Sequence, residues 1–173
     1  LMNVVSIEKR KLDLALIIPV YNEEEIISTV LTEWHQKLNE LGIDFEIHAY
    51  NDGSKDNSLK VMSKSSDQLE RVFVHDKENS GHGPTILKGY REHSHSEWIF
   101  QVDSDNEMSP EEFSKIWNNR IHADFVIGYR YGRTSPMTRK MISWVSRTTV
   151  GLFYSNKVYD VNAPYRLMRC AVF

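Results

Sequence analysis

Short runs of apolar residues alternate along this chain with segments whose apolar residues recur at helical spacing, and this alternation constrains the fold most. The run Leu14 to Pro19 is almost continuously apolar, as expected for a strand buried on both faces of a sheet. Apolar residues then recur three or four positions apart from Ile26 to Leu41, which places them on one face of a helix. Strands and helices in this order predict an α/β fold with a mostly parallel central sheet and helices on both faces.

The alternation of predicted strands and helices continues along the chain. Asn22 is predicted to cap the first helix, with Glu23, Glu24 and Glu25 in its first turn and Gly42 at its end. Further strands are predicted at Phe45 to Tyr50, Val72 to Val74, Trp98 to Val102 and Phe125 to Gly128. Further helices are predicted at Leu59 to Met62, at Pro84 to Tyr90, from Pro110 behind a Ser109 cap, and at Met137 to Tyr154.

Composition bounds the class of protein. With 173 residues, 40% of them hydrophobic and 11% aromatic, the chain is expected to form one globular domain over residues 1–173. The run Leu14 to Val20 is far shorter than the roughly 20 residues of a membrane span, and the opening residues do not resemble a secretory signal. A single cysteine, Cys170, cannot form an internal disulfide, which favours a reducing, cytoplasmic compartment.

The net charge of −3 hides an uneven distribution. Between Arg130 and Phe173 the chain has eight Lys or Arg residues and one acid, Asp160, so the remainder is strongly acidic. This pattern suggests an anionic substrate or a membrane surface near the basic end, although a solvated basic helix would look the same. Nucleic-acid binding is disfavoured, because the basic stretch lacks interleaved aromatic residues on a recognisable module.

Polar clusters follow three of the predicted strands, where ligands bind in open parallel sheets. The clusters are Tyr21-Asn22-Glu23, Asn51-Asp52-Gly53-Ser54 and Asp103-Ser104-Asp105. Asp103 and Asp105 are spaced so that both carboxylates can face one hard cation, and Mg²⁺ and Mn²⁺ prefer such oxygen ligands. Glu107 is a further candidate ligand. An EF-hand is disfavoured, because Met108 stands where the calcium loop needs a glycine.

Other candidates carry weaker signals. Asp52 can accept hydrogen bonds from a base or ribose, or serve only as a turn residue, and Tyr21 can stack on a base or pack at a strand end. Gly81 and Gly83 permit close approach of a ligand to a helix N-terminus, or simply make a flexible loop.

Basic residues near the end of the chain suit a phosphorylated acceptor, because guanidinium groups pair bidentately with phosphate. The group after the predicted strand is Arg130, Arg133, Arg139 and Lys140. Asp160 and Arg166 flank Pro164, where they can equally form a structural ion pair.

In this order the segments resemble family 2 glycosyltransferases, inverting enzymes with a Rossmann-like nucleotide-diphospho-sugar transferase fold. The resemblance covers Leu14 to Arg169 and rests on motifs in the family's order: Ile17-Ile18-Pro19-Val20-Tyr21-Asn22-Glu23, Asn51-Asp52-Gly53-Ser54-Lys55-Asp56, Asn79-x-Gly81-x-Gly83, Val102-Asp103-Ser104-Asp105 and Ala123-Asp124-Phe125-Val126-Ile127-Gly128-Tyr129-Arg130. It implies a nucleotide site at Pro19, Tyr21, Asn22, Glu23, Asp52, Gly81, Gly83, Asp103 and Ser104. It implies Mg²⁺ or Mn²⁺ at Asp103, Asp105 and Glu107, and catalytic roles for Asp105, Asp160, Arg130 and Arg139.

The continuation Met108-Ser109-Pro110-Glu111-Glu112 is similar to the polyprenyl-phosphate subgroup, which includes dolichol-phosphate mannose synthases. That subgroup implies a role in cell-envelope biosynthesis at the cytoplasmic face of the membrane, with Arg130, Arg139 and Arg166 on the acceptor phosphate. An amphipathic stretch at Met141 to Phe153 would pack on the sheet or lie on a bilayer. Ala163-Pro164 replaces the subgroup's usual small-residue and glycine pair, so a glycan hydroxyl acceptor with Asp160 as base is the alternative. Family members usually continue past the position of Phe173, which implies a domain truncated at its C-terminal end.

Two other classes share this kind of sheet. A sugar-nucleotide pyrophosphorylase is disfavoured, because the acids Glu23, Glu24 and Glu25 follow the first strand where that class has a glycine-rich basic loop. A non-catalytic nucleotide or carbohydrate-binding module is disfavoured by the intact Asp103 and Asp105 pair. The sequence names neither the sugar nor the oligomeric state.

Overall fold

A six-stranded sheet with strand order β3-β2-β1-β4-β6-β5 organises the protein. The computed structural model describes residues 11–128 and 165–172. The strands are β1 (Leu14–Val20), β2 (Phe45–Asp52), β3 (Val72–Lys77), β4 (Trp98–Gln101), β5 (Phe125–Ile127) and β6 (Arg166–Arg169). Strands β1 to β4 pair in parallel, whereas β6 runs antiparallel between β4 and β5. The expected mostly parallel α/β sheet is therefore confirmed.

Strand β1 is the most enclosed part of the sheet, because all seven of its residues are buried between two parallel neighbours. In register, Val20 lies opposite Asn51 of β2, and Ile17 lies opposite Gln101 of β4. The backbone N–H of Val102 extends this pairing with a bond to the carbonyl of Ile17. The three strands consequently deliver their C-terminal turns to one edge of the sheet.

Helices cover both faces of the sheet. They are α1 (Ile27–Glu40), α2 (Ser58–Ser66), α3 (His82–Glu92) and α4 (Phe113–Asn119), with short 3₁₀ helices at Pro110–Glu112 and Cys170–Val172. The larger core lies under α1, α2 and α4, where Trp34 packs against Phe100, Phe113 and Tyr165 with ring centroids 5.3, 5.6 and 5.8 Å away. On the other face α3 packs against β1 and β2 through Gly89. None of the helices in the described ranges has the length and apolar character needed to cross a bilayer.

The element boundaries correct several predictions. Asn22 does not cap the first helix, and Glu23, Glu24 and Glu25 are not in its first turn, because α1 begins at Ile27. Asn22 has a left-handed φ of 56°, and its side chain accepts the Lys55 N–H instead. Helix α3 begins at His82 rather than at Pro84, behind Gly81. The Ser109 cap is confirmed, since its Oγ accepts the Glu111 N–H at 3.2 Å.

Three further outcomes concern the end of the chain and the helix ends. The predicted end of α1 at Gly42 is confirmed by a φ of 64° directly after the Leu41 C-cap. Strand β6 was not predicted, because four residues with two half-buried arginines carry little periodicity. The predicted helix at Met137 to Tyr154, including the amphipathic stretch, lies outside the described residues.

Two histidines are buried between α3 and the sheet. His48 of β2 and His93, directly after α3, are only 3% and 8% exposed, and their rings stack with centroids 3.5 Å apart. Burial, followed by the proximity of the other histidines, lowers the pKa of His48 to about 2 and the pKa of His93 to about 4. Both imidazoles are therefore neutral in the folded protein at pH 7.

We expect the Gly89→Ala variant to lose stability, because a Cβ there would lie 2.6 Å from Cγ2 of the buried Ile17 and 3.3 Å from Cε2 of Tyr50. Overpacking of this kind costs about 1–3 kcal/mol. The matched control is Gly83→Ala in the same helix, where a Cβ meets nothing within 4 Å apart from its chain neighbours. It should change stability by less than about 1 kcal/mol, because the helix propensity of alanine and the following Pro84 act in opposite directions. Urea unfolding measures both, and equal effects would contradict the close packing of α3.

The free energy of unfolding should also fall as the pH is lowered. The folded-state pKa values of His48 and His93 lie below the unfolded value of about 6.5, so their contribution is fully present above pH 6.5. It is lost as pH falls toward 4 and below, by up to about 1.4 kcal/mol per pH unit for each histidine. Urea unfolding at several pH values between 7.5 and 4.5 measures the slope. His93→Gln should flatten it and His122→Gln, on an exposed loop, should not; an unchanged stability down to pH 5 would contradict the assignment.

Candidate active site

A cleft of about 500 Å³ opens at the edge of the sheet where β1, β2 and β4 end. The residues that line it are Pro19, Val20, Tyr21, Glu23, Asp52, Asn79, Gly81, His82, Asp103, Ser104 and Asp105. They come from four separate stretches of chain, each at the C-terminal end of a parallel strand or at the start of α3. The parallel register of the sheet is what brings these stretches together.

Most of the predicted site residues that the structure describes meet in this cleft. Four do not line it. Asn22 bonds to the turn after β2, Gly83 lies within α3, and Arg166 begins β6. The exposed Glu107 donates its backbone N–H to Asp105 Oδ1 at 3.0 Å. The predicted residues Arg130, Arg139 and Asp160 lie outside the described part of the chain.

The turns after β1 and β2 are joined by a set of short hydrogen bonds. Asn22 donates its backbone N–H to Ser54 Oγ at 3.0 Å and accepts the Lys55 N–H at 2.8 Å through Oδ1. The next residue, Glu23, donates its N–H to Ser58 Oγ at 2.8 Å. The polar groups of both turns therefore fix one wall of the cleft, on which the ring of Tyr21 remains 43% exposed.

Asp52 is the most buried acid of the cleft, at 3% exposure. Its carboxylate forms an ion pair with Lys77 and accepts the backbone N–H groups of Ser80 and Gly81, each at 2.9 Å. Burial raises the pKa of Asp52, but the bonds from Lys77 and Ser80 outweigh it and hold the pKa below its ordinary value. The loop after β3 is thus wrapped around an ionised carboxylate at the end of β2.

Two glycines make this wrapping possible. Gly53 has a φ of 66°, and a Cβ there would lie 2.8 Å from the backbone nitrogen of Asn79. The Asn79 side chain in turn donates to the carbonyl of Asp52 at 2.8 Å. Gly81 has a φ of 91°, which side-chain-bearing residues rarely adopt, and directs the chain into α3. Close approach of the two loops therefore requires glycine at Gly53, whereas at Gly81 it is the backbone conformation that favours glycine.

Carboxylates crowd the opposite side of the cleft. Asp103 Oδ1 lies 3.0 Å from His82 Nε2, and this bond raises the pKa of His82 although burial opposes it. Across the cleft, burial and then the negative charges of Asp105 and Asp56 raise the pKa of Glu23. The cleft therefore has a local excess of negative charge that favours a bound cation.

Arg166 lies close to this acidic edge. It begins β6 opposite Gln101, the last residue of β4, and so stands beside the turn that contains Asp103. The positive charge of Arg166 lowers the pKa of His82, whereas the hydrogen bond to Asp103 raises it by more. Burial raises the pKa of Tyr90 to about 12, although the charge and a hydrogen bond of Arg166 act in the opposite direction.

Sequence reasoning missed several residues of the cleft. Three residues that were not predicted as site residues line it: Val20, Asn79 and His82. Lys77 does not line the cleft but forms an ion pair with Asp52. Extending the predicted β3 from Val74 to Lys77 would have revealed Lys77, because it lies opposite Asp52 in the parallel register. No spacing rule links His82 to Asp103.

Several known proteins are similar to this chain in sequence. The family model described as Glycosyl transferase family 2 matches residues 15–173. Undecaprenyl-phosphate 4-deoxy-4-formamido-L-arabinose transferases from several Salmonella strains, including Salmonella newport (strain SL254), are 28% identical over 132 residues. That match covers 75% of this chain but only 40% of the relative, so the chain spans less than half the length of the curated relatives.

Solved structures share the fold at low sequence identity. Mannosyl-3-phosphoglycerate synthase from Rubrobacter xylanophilus superposes with a TM-score of 0.71 at 14% identity, covering 94% of this chain and 54% of that one. Glucosyl-3-phosphoglycerate synthase from Mycobacterium tuberculosis, in complex with Mn²⁺, uridine-diphosphate-glucose and phosphoglyceric acid, gives 0.70 at 15% identity over 93% of this chain and 58% of that one.

Removing Lys77 should destabilise the protein, because the buried carboxylate of Asp52 would lose its ion-pair partner. We expect Lys77→Met to cost about 3 kcal/mol. The control is Lys115→Met, which breaks the exposed 2.6 Å pair with Glu112 and should cost less than about 1 kcal/mol. Urea unfolding at pH 7 compares the two. A loss no larger for Lys77→Met than for Lys115→Met would show that Asp52 does not depend on this cation.

Proposed function

The chain belongs to glycosyl transferase family 2, and we propose that it transfers a sugar, with inversion, from a nucleoside-diphosphate sugar to a polyprenyl phosphate. The observation that carries this proposal is the cleft at the C-terminal edge of the sheet, where Asp52, Asp103 and Asp105 meet from two different strands. We further propose that residues 1–173 act as one catalytic domain at the cytoplasmic face of a membrane, where a lipid acceptor would be found.

The donor would bind along the wall formed by β1, β2 and the loop before α3. The exposed ring of Tyr21 offers a surface on which a base can stack. Asp52 lines the cleft and would accept a hydrogen bond from a base or ribose beside those from Lys77, Ser80 and Gly81. Gly81 brings the N-terminus of α3 to the cleft, where the helix dipole favours an anion such as a diphosphate.

Asp103 and Asp105 would hold Mg²⁺ or Mn²⁺ on the donor. Their oxygen ligands suit these hard cations. Burial, and then the negative charges of Asp105 and Asp56, raise the pKa of Glu23, and a cation would offset that charge. A bound divalent ion stabilises the charge that develops on the departing diphosphate. The Mn²⁺ and nucleotide sugar present in the Mycobacterium tuberculosis enzyme support this role.

The acceptor would approach from the side of Arg166, which stands beside the acidic edge of the cleft. The names of the Salmonella relatives, transferases onto undecaprenyl phosphate, support a polyprenyl phosphate. Such an acceptor is already an anion and needs no general base, so the chain has only to position it for attack on the face opposite the leaving group. Arg130 and Arg139 would add further positive charge to this part of the site.

The Asp105→Asn variant tests the catalytic role of the cleft. It should bind uridine or guanosine diphosphate with no gain from added Mn²⁺, and its metal-dependent donor turnover should fall at least about 100-fold. Isothermal titration with and without Mn²⁺ measures the binding, and release of nucleoside diphosphate measures the turnover.

Asp67→Asn is the matched control, because it removes one carboxylate charge from an exposed position at the end of α2. It should leave both measurements unchanged. Turnover by Asp105→Asn at the wild-type rate would remove the proposed metal role. Transfer to polyprenyl phosphate in detergent, compared with transfer to glycan hydroxyls, tests the acceptor; transfer to glycans alone would overturn that part of the proposal.

A further inference from the structure

A group of three histidines lies on the α3 face of the sheet, away from the cleft. His48 belongs to β2, His75 to the edge strand β3, and His93 directly follows α3. One nitrogen of each ring lies within 4.8 Å of the corresponding nitrogens of the other two. His48 is four residues before Asp52 on the same strand, which separates the group from the cleft by about 13 Å. The proposed glycosyl transfer uses none of these side chains.

The tautomer of His48 is set by a carboxylate. Its Nε2 lies 3.2 Å from Glu46 Oε2, and a carboxylate only accepts, so this nitrogen carries the proton. Nδ1 therefore accepts a hydrogen bond from Nε2–H of His75 at 3.1 Å, and an ion bound between these nitrogens would take the place of that hydrogen. A carboxylate behind a histidine in this way is the usual support of a metal-binding imidazole, because it fixes the ring and raises its basicity.

The tautomer of His93 is set by a chain of two hydrogen bonds. The Tyr50 hydroxyl donates its one hydrogen to Glu92 Oε2 at 2.7 Å. It therefore accepts from His93 Nε2, which lies 2.9 Å away, so this nitrogen carries the proton of His93. The Nδ1 of His93 is then a lone pair, and it is buried without any hydrogen-bond partner. A buried nitrogen that is unpaired is uncommon in folded proteins and calls for an explanation.

We propose that His48, His75 and His93 form a second metal site, for a transition-metal ion that prefers imidazole nitrogen, with Zn²⁺ as the best match. Zinc binds nitrogen at 2.0–2.1 Å, which puts the nitrogens of a tetrahedral site about 3.4 Å apart. The three ring nitrogens need to approach by at most about 1.4 Å to meet that geometry, and the stacked rings of His48 and His93, whose planes are 18° apart, must tilt so that both lone pairs face the ion. A fourth position remains for water or for the exposed His95, whose ring centroid lies 5.9 Å from that of His93.

The chemistry of this site differs from that of the cleft. Burial lowers the pKa of each of the three histidines, so the rings are neutral and able to coordinate at pH 7. Nitrogen ligands favour zinc and its neighbours, whereas the carboxylates of Asp103 and Asp105 favour magnesium and manganese. The two sites are therefore expected to take different ions from a mixture.

An ion at this site would join three elements that support the cleft. It would tie the edge strand β3 and the end of α3 to β2, and the segment between His75 and His93 contains Lys77 and Gly81, which hold Asp52. We therefore infer a stabilising metal, which holds the loop in place without taking part in glycosyl transfer.

The test is metal binding by the whole chain. The chain is stripped of metal with a chelator, incubated with Zn²⁺ and freed of unbound ion by gel filtration. We expect one Zn²⁺ per chain by mass spectrometry of the eluted metal, and a rise in the unfolding temperature when Zn²⁺ is added. Co²⁺ in place of Zn²⁺ should give the strong visible absorption of a four-coordinate ion. His75→Gln, at the half-buried edge position, should weaken Zn²⁺ binding at least about ten-fold.

Two variants serve as controls. His122→Gln removes an exposed histidine outside the group, and Asp105→Asn removes the cleft carboxylate; both should keep full zinc binding. Binding of less than one Zn²⁺ per chain would overturn the proposal, as would equal binding by His75→Gln or loss of binding in Asp105→Asn. If His75→Gln fails to fold, the Co²⁺ spectrum of the unaltered chain decides, because six-coordinate absorption also overturns it.

Discussion

Parallel pairing of β1 with β2 and β4 is the constraint on which the rest of the structure depends. All seven residues of β1 are buried, so its backbone groups are satisfied by these two neighbours and one register is strongly preferred. That register places the ends of three strands at one edge, and the acids that follow them meet there. A change in the pairing would move Asp52 away from Asp103 and remove the cleft.

The buried carboxylate of Asp52 organises the wall of that cleft. An isolated ionised acid inside a protein is costly, and the cost is offset by Lys77 and two backbone N–H groups of the following loop. The loop is therefore held by the same charge that is proposed to contact the donor. Binding and local structure are coupled here, since any variant that weakens the support of Asp52 also loosens the start of α3.

The two faces of the sheet differ in chemistry as well as in packing. The face under α1, α2 and α4 is apolar and rich in aromatic contacts around Trp34. The face under α3 combines a small apolar core with His48, Tyr50 and His93, whose polar atoms need partners in a confined space. The oxygen-rich edge and the nitrogen-rich group under α3 both draw on one face of β2, because His48 and Asp52 are four residues apart on that strand, and they are separated along its length.

By itself the sequence determined the α/β class, the order of most elements and the strand ends that carry polar residues, because burial periodicity and turn chemistry are local properties. It failed at Asn22, where the helix start resembled a cap but the side chain was needed by Lys55 of a distant turn. It also missed β6, Lys77 and His82, whose partners lie on other strands. Only the tertiary structure decided which acids share a cleft and which histidines share a site, because those distances follow from sheet register and helix packing between residues far apart in the chain.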